Sequence, residues 1–180
     1  MRLKRDYKTL FLDRDGVINV RIVGDYIKKW ESFEFNEGVL EAMKIFALKF
    51  ETIVIVTNQQ GISKGLMTED DLLDIHSKMR LEVEKAGGRI DEIFYCKDLA
   101  ASNSINRKPN IGMGLQARKK FKTLRFKESI MVGDSGSDMR FGRRLKMKTI
   151  YISKSIQKTR KCYRWIDMRY DSLLDFAKTL

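Results

Sequence analysis

Residues 11–19 read FLDRDGVIN, with two acids one residue apart directly after an apolar run. The segment Thr9–Leu12 predicts a buried strand, and Gly16 permits the turn that must follow it. Open α/β sheets bind ligands at the carboxyl ends of their strands, so we expect Asp13 and Asp15 at such a site. Two carboxylates there could divide a phosphoryl transfer, with Asp13 as nucleophile and Asp15 as proton donor to the leaving oxygen. Asp and Gly are also ordinary turn residues, so the stretch by itself fits a surface turn equally well.

Strand-like and helix-like segments alternate along the rest of the chain. This alternation predicts an α/β fold, a Rossmann-like parallel sheet sandwiched by crossover helices. The predicted strands are Thr9–Leu12, Thr52–Val56, Ile93–Tyr95, Ser129–Val132 and Thr149–Ile152. The predicted helices are Val39–Ala47, a long helix from the Thr68 N-cap to about Ala86, Gly112–Phe121, Asp138–Leu145, and Ser172–Lys178 capped by Asp171.

Length and composition favour a single domain over residues 1–180. The chain can bury one sizeable core, with 43% hydrophobic and 10% aromatic residues. No apolar run approaches the roughly 20 residues that cross a bilayer, and the charged N-terminus lacks the apolar core of a signal peptide. We therefore expect a cytoplasmic protein. Two cysteines, Cys96 and Cys162, are too few for a disulfide framework and are expected as free, partly buried thiols.

The chain is strongly basic, with a formal net charge of +12. Ten Lys or Arg residues and no acid lie between Arg140 and Arg164. This basic stretch fits a nucleic-acid-binding face, attraction for a highly anionic small substrate, or a basic surface without a specific role. Aromatic residues are sparse within it and no RRM or KH signature is present, so charge alone does not identify a nucleic-acid-binding protein.

Two more strand ends carry groups suited to binding phosphate. Thr57 and Asn58 follow the second strand and can donate hydrogen bonds to phosphate oxygens, although a merely polar strand end would look the same. Arg107 and Lys108 precede a helix, beside the only proline of the chain, Pro109. An Arg fork can grip a phosphate with two hydrogen bonds, while Lys supplies a compact charge to the phosphoryl oxygens.

The fourth strand leads into Gly133 and Asp134 and brings another carboxylate to the carboxyl edge of the sheet. Asp13 and Asp134 together could hold Mg²⁺, a hard cation that prefers oxygen ligands. Asp138 follows one helical turn later. It could orient a metal-bound water or Lys108, or act only as a favourable charge at a helix N-terminus.

Together these segments resemble motifs I to IV of the haloacid dehalogenase-like phosphatases over residues 10–152. The four motifs read, in order, D-x-D-G, T-N, R-K-P and G-D-x-x-x-D. The resemblance implies that Asp13 attacks phosphorus to form an aspartyl-phosphate. It implies that Asp15 protonates the leaving alcohol and later activates water. The remaining roles that it implies are phosphoryl stabilisation by Thr57 and Lys108, and Mg²⁺ binding by Asp13, the Asp15 carbonyl and Asp134.

Further segments narrow the resemblance to the branch of small phosphatases that contains heptose 1,7-bisphosphate 7-phosphatases and histidinol-phosphate phosphatases. They are FLDRDGVIN (11–19), FEF (33–35), VTNQ (56–59), GI (61–62), RKP (107–109), GM (112–113) and VGD (132–134). Members of this branch have no large cap domain, and this chain has no room for an inserted one. The resemblance implies that the substrate contacts Asn19, Asn58 and Arg107, together with Thr57 and Lys108.

The chain departs from that branch at two places. Many members carry a zinc loop of three Cys and one His before R-K-P, whereas residues 95–106 offer only Cys96. The one histidine, His76, falls in the predicted long helix as a surface or packing residue, so we expect Mg²⁺ but no zinc. Ser135 stands where those relatives often have Lys or Arg after the metal-binding Asp.

These observations favour a Mg²⁺-dependent phosphomonoesterase for a small sugar bisphosphate. The leading substrate is the heptose 1,7-bisphosphate of lipopolysaccharide precursor synthesis. Histidinol phosphate carries its own positive charges and suits a +12 protein less well. The basic stretch also fits a polynucleotide 3′-phosphatase, and a catalytically idle binding module with this fold is a third possibility. We expect a monomer without membrane association, because this minimal plan needs no partner to complete its site.

Overall fold

The computed structural model describes residues 6–155 and 162–180. The charged residues 1–5 and part of the basic stretch, residues 156–161, lie outside this range. The described strands are β1 (Thr9–Leu12), β2 (Thr52–Asn58), β3 (Glu92–Cys96), β4 (Ser129–Gly133), β5 (Lys148–Ile152) and β6 (Met168–Tyr170). The described helices are α1 (Val39–Lys49), α2 (Glu69–Lys85), α3 (Gly112–Lys120), α4 (Gly136–Arg144) and α5 (Leu173–Ala177).

All six strands are parallel and form one sheet in the order β3-β2-β1-β4-β5-β6. This is the doubly wound order, in which ligands bind outside the carboxyl ends of the strands. The predicted α/β fold without a large cap is therefore confirmed in the described part of the chain.

The central strand β1 sets the position of the acidic pair. Its four residues are buried, and it pairs with β2 on one side and β4 on the other. Leu12 stands level with Ile55 and Val132. Asp13 continues this ladder, because its backbone N–H donates to the Val132 carbonyl over 3.0 Å. The residues that follow β1, β2 and β4 consequently meet at the same edge of the sheet.

Helices cover both faces of the sheet. Leu10 and Leu12 pack with residues of α1, α2 and α5, whereas Phe11 packs with residues of α3 and α4. Burial on both faces explains why β1, β2 and β4 read as continuous apolar runs rather than as an alternation. Each such side chain contributes about 1.5–3 kcal/mol by leaving water.

Three local differences from the sequence prediction have simple causes. The sequence does not predict β6, because this edge strand has three half-buried residues and no apolar run marks it. Helix α4 begins at Gly136, two residues before the predicted start, because Asp138 accepts a hydrogen bond from the Ser135 N–H (3.1 Å) in its first turn. The last helix is capped by Ser172 rather than by Asp171, since the Ser172 hydroxyl accepts a backbone N–H over 3.0 Å.

The predicted N-cap of α2 is confirmed. A capping box of Thr68 and Asp71 begins α2. Cys96 and Cys162 are buried thiols outside any disulfide. Within the described ranges, none of the helices has the length and apolar character that a bilayer span requires.

Candidate active site

Three carboxylates meet at the carboxyl edge of the sheet. Asp13 follows β1, Asp134 follows β4, and Asp138 lies in the first turn of α4. One ligand atom from each of the three lies within 4.8 Å of those of the other two. Gly133 makes this approach feasible, because a Cβ at that position would lie 2.2 Å from the Asp138 Cβ. Since Asp13 is buried, the surface-turn interpretation of the acidic pair is excluded.

Lys108 is a buried cation within this cluster. Its Nζ lies 2.9 Å from Asp13 Oδ1 and 2.6 Å from Asp138 Oδ1, and it donates to the Val56 carbonyl over 2.6 Å. Three acceptors thus surround the three donors of the ammonium. Burial alone would lower the pKa of Lys108, but the two carboxylates raise it above its usual value. Lys108 stays charged, and Asp138 orients it, which is one of the roles that the sequence left open for Asp138.

Asn58 anchors the backbone of Lys108. Its Oδ1 accepts from the Lys108 N–H over 3.0 Å, and its Nδ2 donates to the Lys108 carbonyl over 3.1 Å. These two reciprocal hydrogen bonds tie the end of β2 to the R-K-P segment. The polar strand end at Asn58 therefore has a structural task, whether or not it also meets the substrate.

Arg21 is a second cation at this edge of the sheet, and sequence reasoning missed it. Its Nη2 donates to Asp134 Oδ1 and to the Asp15 carbonyl, both over 2.7 Å, and lies 3.8 Å from Asp13 Oδ2. Arg21 comes from the loop after β1, where one arginine in a chain with 36 basic residues gives no sequence signal. It contacts the same oxygens that the resemblance assigns to Mg²⁺.

The Asp15 carboxylate lies in a different environment. The Arg14 guanidinium binds it with Nη2 at 2.9 Å from Oδ1 and 3.1 Å from Oδ2. Gln59 Nε2 donates to Oδ2 over 2.7 Å, and Asn19 Nδ2 donates to Oδ1 over 3.0 Å. Gln59 also donates to the Thr57 hydroxyl over 2.8 Å, so it links Asp15 to the end of β2. Sequence reasoning gave no role to Gln59 or Arg14.

The two acids of the D-x-D pair have opposite pKa shifts. Burial, and then the negative charge of Asp138, raise the pKa of Asp13 to about 6 against the attraction of Lys108. Burial and the charge of Asp13 raise the pKa of Asp134 to about 8, although Arg21 opposes this shift. Burial would also raise the pKa of Asp15, but the charge and hydrogen bonds of its partners lower it below 3.8.

The cluster has the donor chemistry of a magnesium site. The available groups are carboxylate oxygens and a backbone carbonyl, which are the hard ligands that Mg²⁺ takes. The raised pKa values of Asp13 and Asp134 mean that the chain's own cations do not fully stabilise their negative charge. A divalent cation would supply the missing charge, so the residues fit Mg²⁺.

A cavity of about 280 Å³ opens at this edge of the sheet. The predicted catalytic residues all line it, namely Asp13, Asp15, Thr57 and Lys108. Asn58 and Arg107, two of the predicted substrate contacts, line it as well, together with Arg21. Arg107 is held at the rim by a hydrogen bond from its Nη1 to the Asp98 carbonyl, over 3.1 Å.

Asn19 does not fit the predicted substrate contact. It is fully buried, it is not part of the cavity wall, and its side-chain amide is used by Asp15 and the Val20 carbonyl. Asn19 is a support for the Asp15 carboxylate instead. The sequence pattern gave no means of separating these roles, because an amide serves both equally well.

Comparison with known proteins gives consistent matches. A family model described as polynucleotide kinase 3 phosphatase matches residues 9–172. The crystal structure of D,D-heptose 1,7-bisphosphate phosphatase from B. bronchiseptica, complexed with magnesium and phosphate, superposes with a TM-score of 0.84 at 26% identity, covering 95% of this chain and 96% of that chain. The chain is therefore a haloacid dehalogenase-like phosphatase, a phosphoric monoester hydrolase.

Sequence relatives give the same result over most of the chain. A D-glycero-alpha-D-manno-heptose-1,7-bisphosphate 7-phosphatase of Campylobacter jejuni is 37% identical over 87% of this chain and 88% of its own length. A D-glycero-beta-D-manno-heptose-1,7-bisphosphate 7-phosphatase of Helicobacter pylori is 32% identical over 95% and 98%, respectively. The chain belongs to the polynucleotide kinase 3 phosphatase family, which confirms the resemblance deduced from the four strand ends.

Proposed function

We propose that the protein is a Mg²⁺-dependent D-glycero-D-manno-heptose 1,7-bisphosphate 7-phosphatase. The observation that carries the proposal is the pairing of a buried Asp13–Lys108 contact with a second carboxylate, Asp15, in one cavity. The similarity to heptose bisphosphate phosphatases of both anomeric specificities supports the substrate class.

Under this proposal Asp13 is the nucleophile. One of its carboxylate oxygens, Oδ1, is held by Lys108 and by the Arg14 backbone N–H (2.8 Å). The carboxylate attacks phosphorus, an aspartyl-phosphate forms, and the bond from phosphorus to the sugar oxygen breaks. Lys108 and the Thr57 hydroxyl stabilise the charge on the transferring phosphoryl oxygens. Mg²⁺, when bound by Asp13, Asp134 and the Asp15 carbonyl, supplies further positive charge there.

Asp15 moves the protons in both halves of the reaction. It protonates the leaving sugar oxygen, and it then takes a proton from the water that attacks the aspartyl-phosphate and releases inorganic phosphate. Its lowered pKa means that Asp15 is ionised before substrate binds. The approach of a phosphate dianion raises the pKa of a nearby carboxyl group. Proton uptake by Asp15 therefore accompanies substrate binding.

The cavity also offers positive charge beyond the reacting phosphate. Arg21 and Arg107 line it in addition to Lys108. A guanidinium binds phosphate through paired hydrogen bonds, so these residues suit the second phosphate of a sugar bisphosphate.

A polynucleotide 3′-phosphatase is the second candidate, favoured by one surface. Helix α4 presents Arg140 and Arg143, and the guanidinium groups of Arg140 and Arg164 lie 5.4 and 4.4 Å from the Trp165 ring centroid. Trp165 is partly buried, and basic residues stacked on an aromatic ring are a feature of single-strand binding sites. Binding of this kind would weaken steeply as salt increases.

The deciding experiment measures kcat/KM for phosphate release with Mg²⁺ present. The substrates are both anomers of the heptose bisphosphate, histidinol phosphate and a 3′-phosphorylated oligonucleotide. We expect one heptose bisphosphate anomer to lead by about a hundredfold, or about 2.7 kcal/mol of transition-state discrimination. A lead of that size for the oligonucleotide or for histidinol phosphate would refute the proposed substrate. An Asp13→Asn protein purified in parallel measures any contaminating phosphatase.

A further inference from the structure

His76 is buried at the end of a chain of contacts that leads to the active site. It belongs to α2 and is only 5% exposed. Its Nε2 lies 3.2 Å from Nη1 of Arg14, which is itself fully buried. Arg14 in turn binds both oxygens of the Asp15 carboxylate. The histidine therefore reaches the proposed acid–base residue through a single side chain.

The direction of the His76–Arg14 hydrogen bond follows from the chemistry of the two groups. A guanidinium has only donors and does not lose its proton in proteins, so Arg14 donates. His76 Nε2 must then be the acceptor, and its proton must lie on Nδ1. The imidazole is thus neutral and of one defined tautomer.

The planar shape of Arg14 makes this contact matter for Asp15. Its Nε and Nη2 face the carboxylate, while Nη1, at the other corner of the fork, faces His76. Holding that corner fixes the rotation of the guanidinium within its own plane. Because three hydrogen bonds join the guanidinium to the carboxylate, the carboxylate is fixed with it.

We propose that His76 is a positioning residue of the phosphatase reaction, which acts through Arg14 to hold the Asp15 carboxylate in place for proton transfer. This inference rests on the proposed phosphatase chemistry but not on the identity of the sugar. The alternative is a packing role, since His76 also contacts the Tyr95 ring edge-on, with ring centroids 5.9 Å apart.

Paired substitutions separate the two roles. His76→Phe keeps a flat ring but removes the acceptor, whereas His76→Gln keeps an oxygen at about the position of Nε2. General acid catalysis matters most when the leaving oxygen is a poor leaving group, where it is worth about 10²–10⁴ in rate. We expect His76→Phe to lower kcat at least about tenfold for an alkyl phosphate and less than about threefold for an aryl phosphate with a good leaving group. We expect His76→Gln to restore most of the alkyl rate.

Tyr95→Phe is the matched control, because it changes another neighbour of the His76 ring, whose hydroxyl donates to Glu69 and not to Arg14. We expect any loss of kcat in Tyr95→Phe to be the same for alkyl and aryl phosphates. Equal losses for alkyl and aryl phosphates in His76→Phe, or no loss for either, would overturn the positioning role.

One measurement tests the proposal without any substitution or turnover. His76 is the only histidine of the chain, so selective ¹⁵N-histidine labelling gives the NMR signals of this ring alone. We expect the pattern of a neutral ring protonated on Nδ1, with Nε2 accepting a hydrogen bond. An Nε2-protonated ring would refute the proposal even if the protein proved to be an active phosphatase. Conversely, a wild-type protein that hydrolyses no phosphate ester refutes the proposed function, and the positioning role with it, whatever the tautomer.

Discussion

Asp13 and Asp15 are two residues apart and line the same cavity, yet their carboxylates lie in opposite electrostatic environments. Asp15 is surrounded by donors from Arg14, Asn19 and Gln59, and its pKa is lowered. Asp13 lies with two other carboxylates, and its pKa is raised to about 6.

The difference shows which carboxylate charge the protein balances with its own groups and which charge requires a bound metal ion. The donors around Asp15 balance its charge without help. In the other environment, the carboxylates of Asp13, Asp134 and Asp138 face only two cations, Lys108 and Arg21. The raised pKa values of Asp13 and Asp134 indicate an excess of negative charge there. The environment of Asp15 thus suits proton transfer, and the environment of Asp13 suits a nucleophile beside a metal ion. Substitutions and changes of pH can test the two environments separately, and the largest effect is expected at Asp13.

Loss of the Asp13 carboxylate should abolish turnover. We expect Asp13→Asn to lower kcat by at least about 10⁴-fold, because it removes the proposed nucleophile. The substitution also removes a negative charge from a crowded cluster, so the Tm should stay constant or rise. Steady-state kinetics and thermal unfolding measure the two effects, with the exposed Asp70→Asn as control. Retention of more than a tenth of the activity would exclude Asp13 as the nucleophile.

Loss of Lys108 should damage both rate and stability. Lys108→Met leaves Asp13 and Asp138 buried without their cation, which costs about 3–5 kcal/mol of unfolding free energy. We expect kcat to fall about 10²–10³-fold, as for other groups that stabilise transition-state charge. Urea unfolding and kinetics test this against Lys122→Met, which removes the same charge from an exposed position. If the two variants unfold alike, the buried ion pairs contribute nothing to stability.

Loss of Arg21 should strengthen the binding of Mg²⁺. The guanidinium contacts Asp134 Oδ1 and the Asp15 carbonyl, so it competes with a metal ion for those oxygens. We expect Arg21→Gln to bind Mg²⁺ about tenfold more tightly, a gain of about 1.4 kcal/mol, by titration calorimetry without substrate. Arg107→Gln removes the same charge from the cavity rim without touching those oxygens. An equal gain in both variants would mean that only the net charge matters.

The stability of the metal-free protein should depend on pH through Asp13 and Asp134. Both have raised pKa values, so the folded protein binds their protons more tightly than the unfolded chain does. Their stabilisation is present at low pH and is lost as pH rises through about 6 for Asp13 and about 8 for Asp134. We expect added Mg²⁺ to raise the Tm more at about pH 8 than at about pH 5, and Asp134→Asn to reduce that difference. If the Tm gain from Mg²⁺ did not depend on pH, Mg²⁺ and protons would not compete for the Asp13 and Asp134 carboxylates, contrary to this proposal.

The sequence predicts the central sheet of this molecule well, because its strands depend on local patterns. The continuous apolar runs of β1, β2 and β4 each end in a polar motif, and burial on both faces demands such runs. These strands then bring Asp13, Thr57 and Asp134 to one edge of the sheet, as the doubly wound order requires.

The supporting residues could not be predicted, because their roles arise from long-range contacts. Arg21 lies outside any recognised motif in a chain this basic, yet it contacts Asp134. The sequence places His76 on a helix but does not say that its ring meets Arg14 from 62 positions away. Asn19 sits inside the recognised motif, where the amide could equally have faced a substrate.

The reciprocal hydrogen bonds between Asn58 and the Lys108 backbone have a practical consequence for protein engineering. They fasten the catalytic lysine to the end of β2, independently of the loop that precedes it. The exposed residues 99–102 of that loop can therefore be exchanged while the reacting centre keeps its shape. A library built in that loop would explore new phosphate esters on an unchanged chemical core.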